Sequence, residues 1–220
     1  MTIGNLCCGF MALVQDNLLL SCGFIIFGMV FDILDGLIAR LLQSPSEIGK
    51  QLDSLADMVT FGLVPAFLYY NLAEQRHLGI IGAFLLISAA AYRLAKFNLT
   101  ESKSGFEGLP TPASTAFLVG IFIAFHFDQN LVLGLLQNEL LYIAIPASLA
   151  FFMVSHVHMF SLKEGVLSIK ENPGPVLCVL VLVIMMVYNR EMAVLATSIF
   201  YIFLSMILNL IKRHNGNNYN

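Results

Sequence analysis

Long apolar stretches separated by short polar clusters dominate the chain. Eight stand out, running approximately from Thr2 to Val14, Asn17 to Leu42, Lys50 to Leu72, His77 to Asn98, Pro112 to Phe127, Glu139 to His158, Pro173 to Tyr188 and Glu191 to Ile211. A helix crossing a hydrocarbon core of about 30 Å needs about 20 mostly apolar residues. Within lipid every backbone polar group must also find a partner inside the protein. The stretches are uninterrupted and lack the alternation of a membrane barrel. The pattern therefore predicts an all-α integral membrane protein, a bundle of about eight transmembrane helices. The connections are brief, and none is rich enough in Gly, Ser or Pro to mark a second domain, so residues 1–220 are expected to form one domain.

Composition strengthens this reading. Of 220 residues, 58% are hydrophobic and only 11% charged, where a soluble domain carries about 25% charged residues. That excludes a soluble domain, a disordered chain and a secreted disulfide scaffold. The net charge of −3 comes with no basic stripe, so no nucleic-acid partner is expected. Cys7, Cys8, Cys22 and Cys178 lie in apolar stretches without metal-ligand spacing and read as packing thiols. No basic region precedes the first apolar run, so no cleavable signal is expected. Eight crossings put both termini on one side. With the termini in the cytosol, Arg40, Lys50, Arg93, Lys96, Lys103, Lys163, Lys170, Lys212 and Arg213 fall inside and only Arg76 and Arg190 outside, a strong positive-inside bias. The cation-free loop from Asp128 to Glu139 then lies outside.

Charge also concentrates where an apolar chain should not carry it. Four of the six Asp residues, Asp32, Asp35, Asp53 and Asp57, fall within 26 positions. A carboxylate at helix-centre depth costs about 2.5–3.5 kcal/mol on insertion scales, so four together need a counter-charge. Asp32 and Asp35 are spaced i, i+3 and Asp53 and Asp57 i, i+4, so each pair shares a helix face. A turn from Gln43 to Gly49 brings the faces together at the cytosolic boundary. Four hard oxygen donors without His or soft ligands suit Mg²⁺ or Mn²⁺, with two ions as the expected number. The alternative is four solvated carboxylates capping helix ends, which fits Asp53 and Asp57 near a helix N-terminus. It fits Asp32 and Asp35 poorly, flanked as they are by Phe31, Ile33, Leu34 and Leu37. Gly36 and Ala39 form a small-residue strip beside the pair, and Arg40 can fork onto phosphate oxygens. Together these features describe a pyrophosphate site at the membrane surface.

The spacing Asp32-x2-Asp35-Gly36-x2-Ala39-Arg40-x8-Gly49-x3-Asp53-x3-Asp57 resembles the complete signature of the CDP-alcohol phosphotransferases. These membrane enzymes displace CMP from a CDP-linked lipid or alcohol with the hydroxyl of a second substrate. The resemblance implies that Asp32, Asp35, Asp53 and Asp57 bind two divalent ions, Mg²⁺ or Mn²⁺, and that Asp57 is also the general base. It implies CDP contacts from Asn5, Gly36, Ala39, Arg40, Ser46 and Gly49, with Thr2 and Asn5 standing for an Asn/Thr segment leading into the first helix. Leu52 to Asp57, Phe61-Gly62, Pro65-Ala66, Arg93 to Asn98 and Phe106 to Ala113 are similar to the phosphatidylserine synthase branch of that family, with Thr60 where Ser is expected. The implied substrates are CDP-diacylglycerol and L-serine, in a cytoplasmic membrane, with a homodimer as the expected assembly.

The chemistry such a site requires is direct displacement. No Ser, Cys or His stands beside the Asp cluster as an activated nucleophile, and a carboxylate within reach of the acceptor hydroxyl would take its proton. A serine carboxylate needs a cation. Arg93 and Lys96 are spaced i, i+3 at the inner end of the fourth span; one of them holds the acceptor carboxylate or the lipid phosphate, or both are interfacial anchors. Asn98 and Pro110 complete the candidate acceptor side. Two alternatives stand beside this reading: a relative using glycerol phosphate or inositol phosphate as acceptor, and a cation transporter with intramembrane carboxylates. The transporter would need a second acidic set in a repeated half, and none follows Asp57 in the apolar spans.

Overall fold

The structure, a computed structural model, describes residues 1–41, 47–73, 76–99, 108–127, 129–157, 159 and 174–216. It is all helical: α1 (Thr2–Val14), α2 (Leu18–Leu41), α3 (Glu47–Asp57), α4 (Val64–Asn71), α5 (Arg76–Leu99), α6 (Thr111–His126), α7 (Asn130–Gln137), α8 (Glu139–Val154), α9 (Gly174–Tyr188) and α10 (Ala193–Gly216). A π-helical turn, Met58–Leu63, joins α3 to α4 without a break. Each of the eight expected stretches folds as helix over most of its described length.

Local chemistry sets several boundaries. Asn17 Oδ1 accepts from the backbone N–H groups of Leu19 at 2.9 Å and Leu20 at 3.1 Å, which satisfies the orphan donors at the start of α2. Asn138 does the same for Leu140 and Leu141 at 3.0 and 3.2 Å and separates α7 from α8. Pro110 and Pro112 pre-set the entry to α6. Just before it, Gly108 has φ +78°, and a Cβ there would lie 2.5 Å from the Met153 carbonyl oxygen. Only glycine takes this conformation at this approach without strain.

Three differences from the sequence expectations have physical causes. The segment expected as an external loop contains α7, bent by 109° from α6; its apolar residues Val132 and Leu136 are buried against the bundle. The expected helix to His158 ends instead at Val154, where the chain turns extended at Ser155. From there Phe152 and Val157 give their carbonyls to the N–H groups of Leu109 and Gly108, both at 2.9 Å. His156 follows the helix end, and His158 lies outside the described residues. Finally, the π-turn interrupts what reads as one uniform helix from Lys50 to Leu72.

Among the described residues three helical segments are long and apolar enough to cross a membrane: Leu18–Ile38, Glu47–Asn71 and His77–Leu99, or four if the bent α6–α7 pair is one span. Thr2–Val14, Glu139–Val154, Gly174–Tyr188 and Ala193–Asn209 are shorter apolar helices. The buried core runs through α4, α6 and α8. Tyr69 and Tyr142 stack at 4.6 Å between ring centroids, and each phenol donates to the other's backbone carbonyl, Tyr69 to Tyr142 at 2.6 Å. This reciprocal pair locks α4 to α8. On the other side of α6, a Cβ at Gly120 would sit 2.5 Å from the Leu195 backbone nitrogen, so α10 passes α6 at backbone contact.

Candidate active site

Helices α2 and α3 carry the aspartates, but they do not pack as the hairpin the sequence suggests: α1 packs against both, and the three helices together build the site. Asp32, on α2, is 3% exposed and Asp57, at the end of α3, 7%. With half-buried Asp53 they form a cluster in which one carboxylate oxygen from each lies within 4.8 Å of the others. Like charges this close repel strongly in a low-dielectric setting, and the cost falls when a cation sits among them. Oxygen donors alone, converging from two helices, match the preference of a hard divalent ion. The donor set is of the kind that holds such an ion.

Asp35 does not join this cluster. It is half-buried and accepts a hydrogen bond from Thr2 Oγ1 of α1. One turn further along α1, Asn5 is fully buried and its Nδ2 donates to Asp57 Oδ1 at 2.9 Å. Thr2 and Asn5, spaced i, i+3 on one face, thus each engage one carboxylate of the signature. Asn5 is in turn held from behind, because Thr60 Oγ1 donates to its backbone carbonyl at 2.9 Å.

The close approach that permits this comes from two glycines. A Cβ at Gly28 would lie 2.7 Å from Thr60 Cγ2 and 3.0 Å from Asn5 Oδ1, and one at Gly9 would overlap Thr60 and lie 3.1 Å from its Cα. The π-turn carrying Thr60 starts directly after Asp57. Such turns insert one residue into a helix and change which face follows. Thr115 Oγ1 of α6 donates to the Phe61 carbonyl at 2.8 Å, which anchors the turn from the opposite side. Thr60 stood out in the sequence only as a departure from the branch pattern and Thr115 not at all; hydroxyls recurring in a buried apolar run were the available sign of their site-building role.

The remaining predicted residues divide. Gly36 stands beside the aspartates, and a Cβ at that position would meet nothing within 4 Å, so the strip is open on that side. Gly49 is half-buried in the first turn of α3. Ala39 and Arg40 occupy the last turn of α2, with side chains outside the described residues, as Ser46 is altogether. Arg93 of α5 is 9% exposed; its Nη1 donates to Thr111 Oγ1 at 3.1 Å, and it interacts electrostatically with Asp57 and Tyr201. Lys96 is half-buried. Asn98 is drawn into holding two helices together. Its side chain pairs with Ser54 at 2.9 Å and Gln51 at 3.3 Å, while its carbonyl accepts from Lys50 Nζ at 2.9 Å. These contacts fasten α3 to the end of α5. The Pro110 carbonyl accepts from Ala113 and Ser114 at 2.9 and 3.0 Å, as the first turn of α6 requires.

The sequence profile of the family described as CDP-alcohol phosphatidyltransferase matches residues 1–154, from the first helix to the end of α8. The chain belongs to that family. Family members are metal-dependent in general, and the acidic triad of Asp32, Asp53 and Asp57 is a group that could hold a metal. With its apolar helices, this member is a membrane protein. The chain is 35% identical over 169 residues to the CDP-diacylglycerol–serine O-phosphatidyltransferase of Bacillus subtilis, a match covering 74% of this chain and 89% of that one. It is 40% identical over 119 residues to the protein of the same name from Methanocaldococcus jannaschii, covering 54% of this chain and 56% of that one. To the Saccharomyces cerevisiae protein of that name it is 35% identical over 144 residues, covering 59% and 52%. The chain thus spans about half the length of the latter two.

Proposed function

We propose that the chain transfers the phosphatidyl group of CDP-diacylglycerol to the hydroxyl of L-serine, giving phosphatidylserine and CMP. The observation that carries this is the convergence of Asp32, Asp53 and Asp57 on one point in a member of this transferase family whose similar relatives bear the name of that reaction.

In this reading Asp57 takes the proton from the serine hydroxyl as its oxygen bonds to the phosphorus bearing the diacylglycerol, and the bond from that phosphorus to the CMP oxygen breaks. Asn5 keeps the Asp57 carboxylate oriented for this role. Asp32, Asp35, Asp53 and Asp57 would hold the divalent ions, Mg²⁺ or Mn²⁺. Bound there, the ions would offset the charge that builds on the departing phosphate. Gly36, Ala39, Arg40, Ser46 and Gly49 are assigned to the CDP moiety, with Arg40 at the diphosphate, and Arg93 and Lys96 to the acceptor side. Asn98 and Pro110 are assigned to the acceptor side as well, and their contacts also hold α3 against α5 and start α6. The proposal includes eight crossings with both termini and the site on the cytosolic face, supported by the nine-to-two distribution of Lys and Arg that the positive-inside rule favours, and a homodimer in the cytoplasmic membrane.

The test is CMP release by the purified, detergent-solubilised protein given CDP-diacylglycerol, Mg²⁺ or Mn²⁺, and a panel of acceptors. Release with L-serine that stops on addition of EDTA is expected. Release only with glycerol phosphate or inositol phosphate would keep the family and overturn the acceptor.

A further inference from the structure

Helix α1 does more than border the aspartates. Thr2 Oγ1 donates to Asp35 Oδ2 of α2, and one turn on Asn5 Nδ2 donates to Asp57 Oδ1 of α3 at 2.9 Å. One helix therefore carries a donor to each of the two helices that bear the carboxylates, and it packs against both. Gly9 of α1 lies so near Thr60 that a Cβ would fall 3.1 Å from the Thr60 Cα, and one at Gly4 would press on the Phe31 ring of α2 at 3.3 Å. Backbone packing thus seats α1 and sets the reach of Thr2 and Asn5.

What the Thr2 bond does to Asp35 follows from the chemistry of the carboxylate. An ionised carboxylate offers about four lone-pair sites on two oxygens, and Thr2 takes one of them on Oδ2. The bond leaves Oδ1 to a cation. Asp35 is half-buried, one turn beyond Asp32 on the same face of α2, and outside the group formed by Asp32, Asp53 and Asp57. An aspartate left to its rotamers must give up that freedom to bind an ion; one already held by a hydroxyl has given it up. Carboxylates that ligate metals are themselves hydrogen-bonded, and losing such a partner weakens metal affinity by about 10–100-fold.

Resting on the assignment of Asp35 to the divalent ions in the reading above, we propose that Thr2 is a positioning residue of the metal site. Its hydroxyl holds Asp35 in the orientation that takes up an ion. The hydroxyl hydrogen is thereby spent on a signature carboxylate rather than on the CDP moiety. The cluster of Asp32, Asp53 and Asp57 converges without Thr2, so the effect falls on one of two ions.

The test is a titration of Mn²⁺ alone into the purified, detergent-solubilised full chain, with free Mn²⁺ read from its electron paramagnetic resonance signal. The wild-type protein is expected to bind two ions. Thr2→Val keeps the shape of the side chain and removes the hydroxyl. It should weaken one ion about tenfold, leave the other nearly unchanged and melt near the wild-type temperature. Thr2→Ser, which retains the hydroxyl, should bind both ions like the wild type, and Asp35→Asn should abolish the ion that Thr2→Val weakens. Unchanged binding in Thr2→Val would overturn the proposal, and so would tighter binding, which would mean that the hydroxyl competes with the ion. Equal weakening of both ions with a lower melting temperature would show a role in docking α1 only and overturn it too, as would a single wild-type ion that Asp35→Asn leaves in place. Absence of serine-dependent CMP release in the wild-type protein would instead overturn the reading of function, and because that is a separate assay the two failures are distinct.

Discussion

The two helical spans that build the aspartate cluster obey opposite rules. Leu18–Ile38 of α2 is the more apolar, with mean hydropathy 2.1, yet only 28% of it is buried; Glu47–Asn71, which runs from α3 through the π-turn to α4, has mean hydropathy 1.3 and is 56% buried. In water the ranking would be reversed. In a bilayer, apolar side chains gain nothing by leaving lipid, whereas a carboxylate or hydroxyl gains a partner inside the bundle. So Phe27, 62% exposed, and Ile33, 48% exposed, point away from the protein while Asp32 on the same helix is 3% exposed. On the other span Asp57, Thr60 and Gly62 are inside. On these two spans the signature carboxylates Asp32 and Asp57, Thr60 and Gly62 lie inside beside apolar core residues such as Phe61, Leu68 and Tyr69, while the apolar excess of the first span faces outward.

The largest expected effect comes from changing a buried polar group on the second span. Asp57→Asn keeps the shape of the side chain and removes the proton acceptor, so CMP release should fall at least about 100-fold. The variant should still elute as a single detergent-solubilised species with a melting temperature near that of the wild type. Turnover at the wild-type rate would remove Asp57 as the base and leave the buried carboxylate without a catalytic reason for its position.

The contrast between the spans also explains what could be read in the sequence. The signature aspartates were legible because their i, i+3 and i, i+4 spacing is local and because charge is rare in this chain. That Asp35 turns to Thr2 was not, since the partner lies 33 positions away. The start of α2 was close to legible, because Asn17 caps it from within the same turn. The π-turn was hidden for a related reason: the run from Met58 to Leu72 is apolar at nearly every phase, so no periodicity marks the extra residue. What anchors the turn is Thr115, 54 positions downstream. Helix α7 was hidden by its length, eight residues, too short for a span and uncharged like a loop.

A smaller effect is expected where the first span meets the second. Gly28 lies on the face of α2 that touches Thr60 and Asn5, where a Cβ would come within 2.7 and 3.0 Å of their side-chain atoms. Gly28→Ala must push the π-turn or α1 aside, and overpacking of this kind costs about 1–3 kcal/mol. The melting temperature should drop, and serine-dependent turnover with it, because Asn5 loses its alignment with Asp57. An unchanged melt would mean that α1 is held less firmly than the Thr60–Asn5 contact indicates.

Gly23, on the same helix, sharpens the comparison from the other side. A Cβ there meets nothing within 4 Å, so Gly23→Ala adds a methyl without displacing anything. It also lowers the conformational freedom of the unfolded chain, which alone stabilises by about 0.4–1 kcal/mol. The thermal melt in detergent should therefore stay the same or rise slightly, and CMP release should not change. The two substitutions are chemically identical and lie on one helix, so the difference between them isolates the face of α2 from its composition. If Gly23→Ala destabilised the protein as much as Gly28→Ala, the outward face of α2 would have to be packed against something other than lipid. A second copy of the chain would then be the first candidate, and disulfide crosslinking of Phe27→Cys would identify it.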